Sequence, residues 1–228
     1  FYGASEGEFS AVGQFDPAAT QKLLTDLLAN WKSPSPYARI VTAFSKTEAA
    51  KQRIETPDKQ NASFLAAMTL RMSDEDPDYP AMVLGNYILG GNAGSRLFGR
   101  IRDKEGLSYG VSSSFGAPAK EDRATFSASI ISAPQNSPKV EASFLDELAR
   151  TVRDGFTLEE VAAARKSLLE GQVVSRSQDQ NLARLLSNRQ RFDRTLKFDE
   201  TMETRIAALT PEQVSAAFRR HIDPAGLI

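Results

Sequence analysis

The sequence predicts an α+β fold, an antiparallel sheet with helices packed on one face. Three observations carry this expectation. Residues 61–72, 109–115 and 124–130 alternate apolar and polar side chains with the period of two that marks half-buried strands. The last two are separated by a charged, turn-rich segment, 116–123, which reads as the loop of a β-hairpin. From Ser137 the pattern turns helical and stays so to the end, punctuated by two capping boxes. Hairpins and alternation together favour an antiparallel sheet with one covered face.

Taken in order, residues 8–12 alternate and read as a strand. Asp16 and Pro17 open a helix, Asp as the cap and Pro in the first position. That helix runs to about Trp31 with Leu23, Leu24, Leu27 and Leu28 as its apolar stripe. Pro34 and Pro36 break the chain, residues 39–44 read as a short strand, and 53–55 as a strand extension. In 61–72, Phe64, Ala66, Met68, Leu70 and Met72 share one face, opposite Ser63, Thr69 and Arg71. Residues 73–80 form a loop and a helix start. In 109–115, Tyr109, Val111, Ser113 and Phe115 share a face. Phe126, Ala128 and Ile130 share one in 124–130. Helices are expected over 139–153, stopped by Gly155, and over 158–174 behind the box Thr157 to Glu160. Others follow over 181–192 and 198–209, and a last one runs to about His221 behind the box Thr210 to Gln213.

The 228 residues are enough to bury a core, and the chain reads as one α+β unit over 1–228. A net charge of −1 leaves no electrostatic footprint for nucleic acid or an anionic membrane. The absence of cysteine excludes a disulfide, a thiolate metal site and a cysteine nucleophile. No apolar run approaches the length of a membrane span. The chain starts without Met and enters strand-like sequence within about ten residues. It is therefore read as a fragment of a longer polypeptide or a processed chain, with any targeting signal upstream of Phe1.

The most informative stretch is 84–111. An apolar helix ends at Gly90 and Gly91, which read as a helix end needing φ > 0. A polar turn leads to Ser95 as N-cap of a second helix, 96–105, with Leu97, Phe98 and Ile101 on one side. Gly106 stops it and a strand begins. Arg102 thus sits late on a helix and Tyr109 early on a strand. Taken singly, Arg102 is a solvent-facing complement to a helix dipole and Tyr109 a half-buried packing residue. Together they supply a fixed cation with a donor fork and a rigid phenol, which suit an oxygen gaining negative charge.

Other chemistries fit less well. One histidine and no cysteine argue on ligand count against a catalytic zinc site within this chain. His221 reads as a surface residue at a helix C-terminus. A Ser-His-Asp triad would need His221 as base, and no G-x-S-x-G elbow is present. Gly90 to Gly94 lacks the G-K-[ST] ending of a phosphate-binding loop. Asp74, Glu75, Asp76 and Asp78 lack the spacing of an EF-hand and read as a solvated loop.

The run from Gly90-Gly91 through Ser95-Arg96-Leu97 to Arg102-Asp103-Lys104-Glu105, then Gly106-Leu107-Ser108-Tyr109, resembles the signature of the C-terminal, non-zinc domain of the M16 (pitrilysin/insulinase) zinc metallopeptidases. Residues 8–17, the strand after Gln60 and the capping box at Thr157 are similar as well, so the resemblance spans nearly the whole chain. It implies four such domains arranged as two halves of a closing chamber, with zinc held in another domain by H-x-x-E-H and a distal Glu. In such an enzyme Arg102 and Tyr109 would reach across to a peptide substrate and stabilise its oxyanion. This sequence has no H-x-x-E-H. The resemblance therefore implies no metal in this chain, inactivity of the chain alone, and a zinc-bearing partner domain or subunit. For a bacterial protein it also suggests a periplasmic or otherwise exported setting. A non-catalytic assembly role, like that of respiratory-complex core proteins of this fold, is the alternative.

Overall fold

The computed structural model describes residues 3–228, and its central feature is a three-stranded antiparallel sheet. Its strands are β1 (Ala62–Leu70), β2 (Ser108–Gly116) and β3 (Ala124–Ser132), in the spatial order β1-β3-β2. Ala66 pairs with Ala128 and Val111 with Ile130, both antiparallel. Period-two alternation sends Ala66, Met68, Val111, Phe126, Ala128 and Ile130 to the covered face, while Leu65 on the other face is 70% exposed. The expected α+β class and the hairpin joining β2 to β3 are both observed.

The chain forms two compact units. One comprises the stretch up to Val41 with Glu170–Thr201. The other comprises Thr42–Leu169 with Met202–Ile228 and contains the sheet. In the first unit, α1 (Pro17–Leu28) starts as expected: Asp16 Oδ1 accepts the Ala19 N–H at 3.0 Å and Pro17 occupies the first position. Its leucine stripe is only partly covered: Leu24 and Leu28 are half-buried, whereas Leu23 and Leu27 are exposed. In the same unit, Arg189 in the last turn of α5 (Asp179–Gln190) makes a two-bond ion pair with Asp199, 2.8 and 2.6 Å.

In the second unit the covered face of the sheet meets α2 (Tyr79–Leu89) and α3 (Ser137–Asp154). α2 supplies Met82, Leu84 and Leu89, and α3 supplies Val140, Phe144 and Leu148, all fully buried. The Phe64 and Phe144 rings lie 5.1 Å apart. α4 (Leu158–Arg176) starts behind the Thr157 box: Glu160 N–H donates to Thr157 Oγ1 and Thr157 N–H to Glu160 Oε2. After α6 (Leu196–Ala208), the second box opens α7 (Pro211–His221), whose Phe218 packs edge-on against Phe156, centroids 5.3 Å apart.

Residues 8–12, 39–44 and 53–55 are not strands. Alternation makes a segment fit for a sheet, but a strand also needs a neighbour for its N–H and C=O groups. No backbone bond joins these segments to another strand among the described residues. The Gly90-Gly91 pair needs a different explanation from the expected one, because Gly90 has φ −157° and neither residue has positive φ. Close approach accounts for both. A Cβ on Gly90 would lie 2.5 Å from Ser113 Oγ and 2.8 Å from its backbone N, and one on Gly91 would lie 2.7 Å from Tyr87 Cα. The Ser113 N–H donates to Gly90 O at 2.8 Å, so α2 ends by handing a carbonyl directly to β2.

A guanidinium ties the turn after α2 to the α3–α4 junction. Arg96 Nε and Nη2 donate to Glu160 Oε1 and Oε2 at 2.6 and 2.7 Å, Nη2 also to Gly155 O at 2.8 Å, and Nη1 to Thr151 Oγ1 at 3.1 Å. The same cation lies 5.1 Å from the Phe156 ring centroid. Burial pushes the Glu160 pKa up, but its bonds from Arg96 and Thr157 outweigh this and hold it below the usual carboxylate value.

Two outcomes follow. Gly90→Ala keeps an allowed φ and should still destabilise by about 1–3 kcal/mol through overpacking against Ser113. Urea unfolding checks this, and an unchanged midpoint would refute the close-approach account. For Glu160 the folded pKa is depressed, so the unfolded chain takes up the proton first. The stabilisation is complete above the unfolded value and is lost as pH falls through the folded one. The urea midpoint should drop as pH is lowered from about 5 to about 2. Glu160→Gln should make that drop shallower while lowering stability at neutral pH. An equally steep drop in the variant would exclude Glu160 as a contributor.

Candidate functional site

The residues after the α2 turn do not form a regular α-helix. Arg96 and Leu97 begin helically and Phe98–Lys104 continues as a π-helix, a wider form found mostly as single turns and frequently at functional sites. Ser95 takes the expected cap position and its carbonyl accepts the Gly99 N–H at 2.9 Å. Its hydroxyl is buried and has no hydrogen-bond partner among the described residues, so it does not cap. Leu97 and Ile101 are fully buried and fix the inner side of the turn. The end is closed as the sequence suggested: Gly106 has φ +62°, its N–H donates to Arg102 O at 3.2 Å, and the Leu107 N–H donates to Ile101 O at 2.9 Å.

Arg102 projects from the outer side of this π-helix. It is exposed, with its guanidinium 4.6 Å above the Phe98 ring centroid, a stacking that holds the long side chain by its neighbour one turn back. Glu105, at the C-terminal cap, accepts from Ser143 Oγ at 2.5 Å and from Arg100 Nε at 2.9 Å. Arg100 Nη1 donates in turn to Asp146 at 2.5 Å and Glu147 at 3.2 Å on α3. Burial opposes charge at both Arg100 and Glu105, yet these bonds raise the Arg100 pKa and lower that of Glu105, so both stay ionised at neutral pH.

Tyr109 is where strand alternation fails. Ser108 pairs with Ser132 and Gly110 with Ile131, so Tyr109 is the extra residue of a β-bulge. Its side chain therefore leaves the face shared by Val111 and Ser113, which are buried, and is 63% exposed. The expectation that Tyr109 shares that face is corrected by this one-residue shift. Its hydroxyl oxygen accepts a 3.4 Å bond from Asn61 Nδ2, just before β1 on the far side of β3. Arg102 and Tyr109 thus both lie outside the core, on either side of the Gly106 turn. No hydrogen bond joins them among the described residues. The sequence assigned no role to Asn61, Arg100 or Ser143, and Glu105 stood in the motif without one. Arg100 and Glu105 fall inside the motif, but nothing local announces their partners on α3.

His221 is not the surface residue expected. Its Nε2 donates to Asp78 Oδ2 at 2.8 Å, its side chain is mostly buried, and Arg220 binds the same oxygen. Burial pushes the Asp78 pKa up, and the His221 and Arg220 bonds more than reverse this. Donor atoms of Asp76, Asp78 and His221 lie within 4.8 Å of one another. They do not suit a catalytic zinc. Arg220 already supplies the cation that Asp78 faces, and Asp76 Oδ1 accepts the Asp78 N–H at 2.8 Å.

Comparison with known proteins agrees with the motif. The sequence profile described as "Peptidase M16 inactive domain" matches residues 1–168. The structure is similar to that of a peptidase M16 inactive domain from Pseudomonas fluorescens, with a TM-score of 0.79 and 27% identity over 95% of this chain and 51% of the other. It is similar in fold to the periplasmic protease PqqL from Escherichia coli, with a TM-score of 0.69 and 18% identity over 95% of this chain and 24% of the other. It also resembles the inactive peptidase domain of a zinc-protease candidate from Bordetella parapertussis, with a TM-score of 0.60 and 16% identity over 75% and 92%. The chain spans about half the length of the Pseudomonas protein and a quarter of PqqL. No curated protein matches the sequence. With the glycine turn, the SRL segment and the Arg102–Tyr109 offset in place, and with the profile covering most of its length, this chain belongs to the M16 peptidase family as a domain of the inactive type.

Proposed function

We propose that this domain is the zinc-free half of an M16-type metallopeptidase, where it binds peptide substrate and stabilises the oxyanion through Arg102 and Tyr109. A partner half, on the same or another polypeptide, would carry H-x-x-E-H, the zinc and the general base. The observation that carries the proposal is the β-bulge at Tyr109. It turns a tyrosine that strand periodicity would bury into one that faces outward, beside a π-helix that presents Arg102. An exposed bulge on a sheet rim is a common way to re-aim a side chain at a ligand.

The chemistry follows from the two groups. When a peptide carbonyl is attacked, its oxygen gains negative charge, and a donor placed at that position counts more in the transition state than in the ground state. Asn61 donates to the Tyr109 oxygen, so the phenolic proton stays available for an external acceptor. Arg102 brings a permanently charged planar fork, held by Phe98 rather than left free to roam.

The test uses the assembled protease, this domain together with its zinc-bearing half. Tyr109→Phe removes one donor and keeps the ring. Turnover should fall about a hundred- to thousand-fold, or about 2.7–4 kcal/mol. Arg102→Lys should also lower turnover, because an ammonium cannot reproduce the fork. Both variants should melt within about 0.5 kcal/mol of the parent, as expected for surface positions. The domain alone should hydrolyse no peptide. Parental turnover in Tyr109→Phe would end this reading and favour an assembly role. Activity loss that merely tracks a melting loss would mean that the residues pack rather than act.

A further inference from the structure

Arg102 and Tyr109 belong to different elements, and whatever sets their separation must fix the turn between them. The π-helix does not do this well alone, because it is a rare form that occurs mostly as single turns. Glu105 stands at its C-terminal cap, directly before the left-handed Gly106. That is the wrong end of a helix for a carboxylate, since the terminal carbonyls already carry partial negative charge. What offsets this placement is a set of side-chain bonds, one within the π-helix and the others to α3. One oxygen accepts from Ser143 of α3 at 2.5 Å and the other from Arg100 at 2.9 Å, while Arg100 reaches Asp146 and Glu147 of the same helix at 2.5 and 3.2 Å. Ser143, Asp146 and Glu147 are spaced i, i+3, i+4, so a single face of α3 receives both ends of the clamp. Residues 100 and 105 bracket Arg102, and residue 105 borders the turn that leads to Tyr109.

We propose that Glu105, held between Ser143 and Arg100, is a positioning residue that fixes the relative placement of Arg102 and Tyr109. This rests on the oxyanion-binding reading of those two residues. Glu105 touches neither substrate nor reacting atoms. It acts by anchoring the π-helix end on α3, so that the cation and the phenol meet one carbonyl oxygen without reorganising. Arg100 has the same role from the other side of Arg102 and is the second half of the clamp.

The experiment again uses the assembled protease, with peptide turnover and KM measured for Glu105→Ala, Glu105→Gln and Ser143→Ala, each alone and in the Tyr109→Phe background. Glu105→Ala should lower kcat about ten- to hundred-fold with KM little changed, the mark of a loss confined to the transition state. Glu105→Gln keeps an acceptor oxygen for Ser143 and should recover part of that loss. In the Tyr109→Phe background the same Glu105→Ala change should cost several-fold less, because misplacing a donor already removed has little further effect. A loss from Glu105→Ala of equal fold in both backgrounds, or an unchanged kcat, would overturn the proposal. If Glu105→Ala does not fold, Ser143→Ala, which removes one hydroxyl from a helix of otherwise unchanged sequence, carries the same comparison. Parental turnover in Tyr109→Phe alone would instead sink the oxyanion reading, an outcome separate from additivity between the two sites.

Discussion

The unit that contains the sheet depends on where the Arg96 guanidinium lies. Its donors reach Glu160, Thr151 and the Gly155 carbonyl, and its face covers Phe156. Each contact settles a different local problem. Gly155 O belongs to the chain leaving α3, where helix carbonyls run out of partners. Glu160 is the returning arm of the box that starts α4. Arg96 itself opens the segment that becomes the π-helix. One mostly buried cation therefore holds an exit from one helix, an entry to another and the root of the candidate site. A buried ion pair adds less net stability than its short distances suggest, because both charges are desolvated. Its weight is in specificity: with either partner missing, a buried charge or an unsatisfied carbonyl is left behind.

From that root the chain departs twice from regular geometry within twelve residues. The π-helix adds a residue to the turn that presents Arg102, and the bulge adds one to the strand that presents Tyr109. In both cases the insertion changes which side of the element a side chain occupies. The inner positions, Leu97, Ile101, Val111 and Ser113, stay buried and keep the elements seated. The irregularity is thus expressed outward. A regular strand with Tyr109 in the Val111 phase would place the phenol under α2, where its hydroxyl would need a buried partner.

Polar groups inside the sheet-bearing unit are mostly used to join elements distant in sequence. Asn86 and Ser113 exchange bonds between α2 and β2, where the glycine turn brings the two backbones together. His221 and Arg220 bring the end of α7 to Asp78 at the start of α2. Arg205 donates to the Asp76 and Pro77 carbonyls beside it. Helix ends carry the charges most often because unpaired N–H and C=O groups collect there.

Features set by near neighbours were legible in the sequence. Alternation located β1, β2 and β3, since side-chain period follows from the strand backbone itself. Asp16, Thr157 and Thr210 each found the amide three residues on, a bond that needs no tertiary partner. Gly106 took the left-handed conformation that a stop before a strand requires, and the motif around it marked Arg102 and Tyr109. What escaped depends on atoms far away in the chain. Residues 8–12 alternate as β1 does but have no ladder neighbour among the described residues, and pairing is not encoded in one strand alone. Gly90 is glycine because Ser113 lies against it, not because of its φ. The bulge at Tyr109 arises from register with Ser132 and Ile131, and the role of His221 from an aspartate 143 positions earlier. Local sequence determined the elements and their caps, whereas the tertiary structure decided which faces they turn outward, because facing is a property of pairs of segments rather than of one.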